Sequence, residues 1–221
     1  MATFKKSKRD NIADFAGTFR TPKGEGKWIK TVKPDTKFKE DGEYSVKLVL
    51  DPEDPEHVEF MAELDARLDE AVAHLTRNMK PAMAKRITVK KPYLEELDEE
   101  KEETGMLEAA FKAYATFPDG KPVKIGHYDG RGKKMTPVLA ANGSLVKVHY
   151  WIRSYYNAKD KEIGLSLKLK NIQIIELVEV GGDAGFGDEG GFDGSDFDRE
   201  YTESNYDESG CSDESGEDGD F

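Results

Sequence analysis

The sequence has little of what staples, anchors or arms a protein. Cys211 is the only cysteine in 221 residues, so no disulfide can form within the chain, which fits a reducing cytosol. No apolar run approaches the roughly 20 residues of a membrane span. Residues 1–10 hold no apolar stretch of signal-peptide length, so the chain reads as soluble and intracellular, with no membrane partner. Hydrophobic residues make up only 37%, too few for a chain packed throughout. The four histidines, His57, His74, His127 and His149, show no zinc spacing, and one cysteine cannot complete a site. A phosphate-cradling Gly-x-x-x-x-Gly-Lys loop and a Gly-x-Ser-x-Gly elbow are both missing. The expectation is therefore a non-enzyme without metal or cofactor.

What is present is charge, unevenly placed. The formal net charge is −12, yet residues 181–221 hold 15 acids and one arginine, which leaves a nearly neutral body. Within that body, residues 1–50 carry 12 bases against 7 acids, residues 51–108 carry 8 against 17, and residues 109–180 carry 12 against 6. Two basic segments flank an acidic middle. Screening beyond roughly 8–10 Å lets a local basic face bind phosphate even on an acidic protein. The expected organisation is a domain over residues 1–180 and a disordered acidic tail over 181–221, rich in Gly and Ser with scattered aromatics.

Local patterns sketch the domain. Residues 13–20 predict a strand, followed by a Gly/Pro-rich turn over 21–26 and an extended piece over 27–32. Residues 42–50 alternate, with Tyr44, Val46, Leu48 and Leu50 on one face. Asp54 caps a helix predicted to run to about Lys80–Pro81, with Pro55 in first position and an apolar stripe of Val58, Met61, Leu64, Leu68, Val72, Leu75 and Met79. Residues 81–105 read as an irregular acidic insert, and the run from Glu95 to Glu103 as a solvated loop or short helix. Strand signals return at Met106, where Phe111, Ala113, Ala115 and Phe117 alternate with Lys112, Tyr114 and Thr116, and continue over residues 123–128, 145–156 and 164–180. The fold class expected is mainly β, a small antiparallel barrel of five or six strands with one inserted helix.

Residues 145–156 carry the most chemistry. Val146, Val148, Tyr150 and Ile152 form a core face; Lys147, His149, Trp151, Arg153 and Tyr155 form the other. Cations interleaved with rings are what a single strand of nucleic acid needs, each base–aromatic stack being worth roughly 1–3 kcal/mol. Tyr156, Lys112, Tyr114, Lys168 and Lys170 join the candidates, as do Arg131, Lys133 and Lys134 in a Gly-rich loop and Trp28, Lys30 and Lys33 near the first turn. The bland rivals are packing of Trp151 and Tyr155 under the helix, and Trp28 as a barrel plug. In the tail, Glu217, Asp218, Asp220 and Phe221 make an acidic segment closed by an aromatic, suited to an apolar pocket with a basic rim on a partner.

Several pieces together resemble the single-stranded DNA-binding protein family of T-seven-like podoviruses. They are Gly42-Glu43-Tyr44-Ser45-Val46, Phe111-Lys112-Ala113-Tyr114-Ala115-Thr116-Phe117, Gly132-Lys133-Lys134-Met135, Lys147-Val148-His149-Tyr150, Tyr155 and the closing Glu217-Asp218-Gly219-Asp220-Phe221, in that order. The resemblance implies an OB-fold, sequence-nonspecific binding of single-stranded DNA in phage replication and recombination within the host cytoplasm, and a homodimer. It also implies a tail that recruits the phage DNA polymerase and helicase–primase; from its own charge of −14 and spaced aromatics, the tail is further expected to compete with DNA for the basic face. By the same resemblance Tyr114 and Tyr155 look like stacking positions and Lys112 like a phosphate contact. Residues 81–105 and Tyr156-Asn157 depart from the family pattern. Alternatives from the residues alone are an OB-type binder of RNA or duplex, a protein-interaction adaptor, and a nuclease.

Overall fold

The computed structural model describes residues 3–5, 11–37, 39–98 and 100–179. The predicted acidic tail, with Glu217, Asp218, Asp220 and Phe221, lies outside them. In chain order the elements are β1 (Phe4–Lys5), β2 (Ile12–Phe15), β3 (Phe19–Arg20), β4 (Gly24–Asp35), β5 (Glu43–Leu50), α1 (Pro55–Thr76), α2 (Pro81–Ala84), β6 (Thr88–Lys90), β7 (Tyr93–Leu97), β8 (Glu103–Tyr114), β9 (Gly126–Tyr128), β10 (Lys134–Met135), β11 (Ser144–Asn157) and β12 (Glu162–Glu176).

Five long strands close a circuit. β11 pairs with β4, β4 with β5, β5 with β8, β8 with β12, and β12 returns to β11. Every junction is antiparallel except β8–β12, which is parallel. Closure leaves the barrel strands no open edge, and this order with one parallel seam is an OB-fold. The alternation seen in sequence sets the register. β5 turns Tyr44, Val46, Leu48 and Leu50 inward and β11 turns Val146, Val148, Tyr150 and Ile152 inward, all buried. The Tyr150 ring sits edge-on to Phe111 at 5.0 Å between centroids, and to Phe60 of the helix at 6.3 Å.

α1 is the inserted helix, shorter than predicted. Asp54 caps it, its Oδ1 accepting from the Glu56 backbone N at 2.7 Å and the His57 N at 3.4 Å, and Pro55 opens it. Its buried face is His57, Phe60, Met61, Leu64, Leu68, Ala71 and Leu75. The expected stripe was rotated by a part-turn at its start: Val58 is exposed, because Phe60 and Leu64 face the barrel and Val58 lies off that row.

Other expectations are corrected by local geometry. The first predicted strand is broken in two by Gly17 at φ 91°, giving β2 and β3. The insert is not irregular: α2, β6 and β7 occupy it, β7 lies antiparallel on β8, and β6 runs parallel to β12. Within the acidic run Glu96 is buried, ion-paired with Lys27 and accepting from the Thr104 hydroxyl at 2.6 Å. Phe117 is exposed, since the chain leaves β8 after Tyr114 for a turn in which the Phe117 N donates to the Lys121 carbonyl. The final strand is one piece, bulged against β11 so that Lys170 and Asn171 both stand away from the core.

Candidate nucleic-acid interface

The register of the barrel draws one row across its outer surface. Trp151 on β11 lies opposite Lys168 on β12, Lys168 beside Lys112 on β8, Lys112 opposite Ser45 on β5, and Ser45 opposite Lys30 on β4. Residues opposite on one sheet face interact directly, so five strands contribute to one surface. Tyr114, one pleat beyond Lys112, is exposed and stands between two ammonium groups, Lys39 Nζ at 4.9 Å and Lys168 Nζ at 5.4 Å from the ring centroid. Arg153 lies against Trp151, its guanidinium carbon 5.1 Å from the ring centroid, and donates to both oxygens of Asp14 at 2.7 and 3.0 Å. Tyr155 continues the face. It lies over Gly164, where an added Cβ would come within 2.6 Å of the phenol oxygen, so only glycine leaves room for the ring there. Its hydroxyl donates to Glu162 at 3.0 Å; burial and that bond push the phenol up to about 12.

Trp28 enters from β4 through a strained backbone. The register between β4 and β5 slips between Lys27 and Lys30, and Trp28 takes φ 51°, which for a bulky residue costs on the order of 1–3 kcal/mol. Its backbone N donates to Asn142 Oδ1 at 2.8 Å, and its side chain is 59% exposed, which overturns the barrel-plug alternative. With Lys30, Asp35, Glu43 and Lys112 it lines a groove of about 440 Å³. Packing under the helix is likewise overturned for Trp151 and Tyr155, because α1 sits against the inward side of β11 beside Tyr150.

The electrostatics are those of a cationic face checked by acids. Glu43 accepts from Lys112 at 3.0 Å and pairs with Lys39. Burial alone would raise its carboxyl, but the bonds from Lys39 and Lys112 hold it below the usual range. Lys30 pairs with Asp35. Burial, then the charge of Arg153, keeps the Lys168 ammonium below the ordinary lysine value.

The remaining candidates divide. Lys147 and His149 lie on the same outer face of β11, nearer its start, with Lys170 exposed at the bulge of β12. Arg131, Lys133 and Lys134 are exposed on the β9–β10 hairpin. Lys33 is exposed further along β4 and does not line the Trp28 groove. Tyr156 points away from Tyr155 and packs with Ala13, Leu75 and Ile163. Sequence reasoning missed Lys39 and Glu43: Glu43 lies opposite Tyr114 on the outer face of β5, where the alternation of β5 could have placed it, whereas Lys39 reaches the row from the turn before Gly42, which no sequence period marks. Among the described residues no cluster of His, Cys, Asp or Glu is placed to hold a metal ion, and no helix is long and apolar enough to cross a membrane.

Residues 26–179 match the family model of the single-stranded DNA-binding protein of bacteriophage T7. The chain belongs to that family. A single-stranded DNA-binding protein of Escherichia phage T7 is 29% identical over 150 residues, 64% of this chain and 65% of the relative, so the match spans just under two thirds of that relative's length. The crystal structure of gp2.5, a single-stranded DNA-binding protein encoded by bacteriophage T7, superposes with a TM-score of 0.59 at 24% identity, covering 80% of this chain and 98% of that one. The single-stranded DNA-binding protein of bacteriophage Enc34 in complex with single-stranded DNA gives 0.50 at 12% identity, covering 80% and 97%. These likenesses establish the shared fold of the T7 family, built here from the strands that carry the row.

Proposed function

We propose that this member of the T7 family binds single-stranded DNA without sequence preference along the outer face of β11, β12, β8, β5 and β4. The observation that carries the reading is the cross-strand row. Trp151, Tyr114 and Tyr155 offer ring faces at one surface, and Lys168, Lys112, Lys30 and Arg153 stand among them. Rings stack on any base and cations meet any phosphate, so the arrangement recognises a strand rather than a sequence. A duplex hides its base faces and would lose the stacking contribution. The acidic segment 181–221 acts in the same reading as a competitor for the cationic face and, when displaced, as the docking segment for phage replication proteins such as a polymerase or helicase–primase.

The test is titration of the protein with single-stranded and then duplex oligonucleotides at several salt concentrations, following tryptophan fluorescence. Single strands are expected to quench it, with affinity falling as salt rises. Tyr114→Ala and Tyr155→Ala are each expected to cost roughly 1–3 kcal/mol of binding. Equal affinity for duplex, or no loss in either variant, would remove stacking from the mechanism.

A further inference from the structure

The cations of the outer face are not equivalent. Lys30, Lys39, Lys112 and Arg153 each face a carboxylate: Asp35, Glu43 for two of them, and Asp14. At the other end of β11, among the described residues, Arg20, Lys147 and Lys170 have no acidic partner. Arg20 and Lys147 open on a pocket of about 280 Å³ whose floor is Val148 and Ile172. Its polar wall is fixed. The Asn171 amide donates to His149 Nδ1 at 2.8 Å, across the pair at which Arg20 also lies opposite His149. Gln173 donates to the Asp129 and Gly130 carbonyls at 3.0 and 3.2 Å and so docks the β9–β10 hairpin, whose Tyr128 and Gly132 complete the lining. Burial, then the charges of Lys170 and Arg20, keeps the His149 imidazole below its ordinary value, as expected of a ring set among uncompensated cations.

We infer that this pocket is a separate phosphate-binding subsite, in which Arg20 and Lys147 grip the backbone of a strand whose bases stack further along on Trp151. The inference rests on the single-strand reading above and adds to it a place and a division of labour. A phosphate reaching Lys30 or Lys112 replaces a carboxylate already there, so one anion is exchanged for another. A phosphate reaching Arg20 or Lys147 replaces only condensed salt ions, and release of those ions is what makes binding salt-dependent. Lys147 and Trp151 are four residues apart on one strand, roughly 13 Å, which exceeds the Debye length of about 8 Å at physiological salt. The two ends of β11 therefore act on different nucleotides, and the Arg20–Lys147 end adds its own salt dependence to that of Lys168, which among the described residues forms no ion pair.

The experiment compares the whole protein with the double variant Arg20→Ala/Lys147→Ala, titrated with oligothymidylate of about 16 nucleotides, at the upper end of the range one such fold covers. Tryptophan quenching at saturation reports the Trp151 and Trp28 end and is expected to be unchanged. The slope of log affinity against log salt is expected to become shallower by roughly 1.4, two phosphates' worth on a single strand. The advantage of the natural protein over the variant then shrinks roughly 25-fold between about 50 and 500 mM salt. A variant with normal quenching and an unaltered slope overturns the subsite while leaving the single-strand reading intact. A natural protein that no oligonucleotide quenches overturns both. Arg20→Gln/Lys147→Gln, which keeps most of each side-chain stem, repeats the test if the alanine variant melts early.

Discussion

At the scale of single residues, the most telling group is an acid. Glu43 holds Lys39 and Lys112, and Lys39 in turn covers one side of Tyr114. Its carboxylate stands between two cations, where a phosphate oxygen would otherwise go, and it repels a phosphate approaching either of them. Glu43→Gln keeps the shape and a hydrogen-bond acceptor while removing the charge. The expected outcome is tighter binding of single-stranded DNA, on the order of tenfold at low salt and fading as salt rises. Folding should change little, because exposed lysines contribute weakly to stability through such pairs. Fluorescence titration of both proteins at two salt concentrations decides it. Weaker binding by the variant would mean that Glu43 organises Lys39 and Lys112 for the strand rather than competing with it.

Among the elements, β9 is short yet carries a buried titratable group. It runs parallel to β12, and its His127 is buried, with Nε2 3.4 Å from the Thr31 carbonyl of β4. Burial lowers the folded-state pKa of His127, and the weak bond to Thr31 only partly opposes it. The unfolded chain, with an imidazole near pKa 6.5, therefore binds more protons below that value, and stability falls as pH drops through about 6.5. The loss is at most about 1.4 kcal/mol per pH unit for one group. His127→Leu should flatten that part of the stability–pH curve between about pH 6.5 and 5, as read from denaturant midpoints; an equally steep curve would assign the effect to other groups such as His149, whose imidazole is lowered too. How far such elements could be read in advance depended on whether their pattern was local. β5 and β11 bury every second residue against one core, so their period was visible and most of the outer-face residues were named from it. β6 exists because β12 parts from β8 and takes β6 as its neighbour towards its start, a pairing across more than 70 positions, and β7 because it folds back antiparallel on β8, which leaves no period in a run of glutamates. Pairing Arg20 with His149, or Tyr155 with Gly164, likewise required the folded register.

For the whole molecule the decisive quantity is how charge is divided along the chain. Residues 181–221 contain 15 of the 45 acids and one of the 33 lysines and arginines, so removing them turns a formal charge of −12 into +2. Among the described residues, the body sets Arg20 and Lys147 around one pocket at the start of β11 and Trp151 and Tyr155 further along the same strand. An acidic segment with spaced aromatics offers that surface the same two features as DNA, negative charge and flat rings, at a local concentration that no free oligonucleotide matches. Deleting residues 181–221 should therefore tighten single-strand binding at low salt, with the gain lost near 1 M salt, where the screening length is only about 3 Å. Competition of this kind would leave a signature in the variants already described. If it occupies the Arg20–Lys147 pocket, the Arg20→Ala/Lys147→Ala substitutions should diminish the effect of the deletion, because both partners of one contact are then gone. Measuring the four proteins as a cycle, natural chain, deletion, double variant and the combination, gives that coupling directly. Additive effects would mean that the acidic segment acts through its overall field and not at the pocket. An affinity that the deletion leaves unchanged at low salt would mean that the segment does not compete with DNA at all.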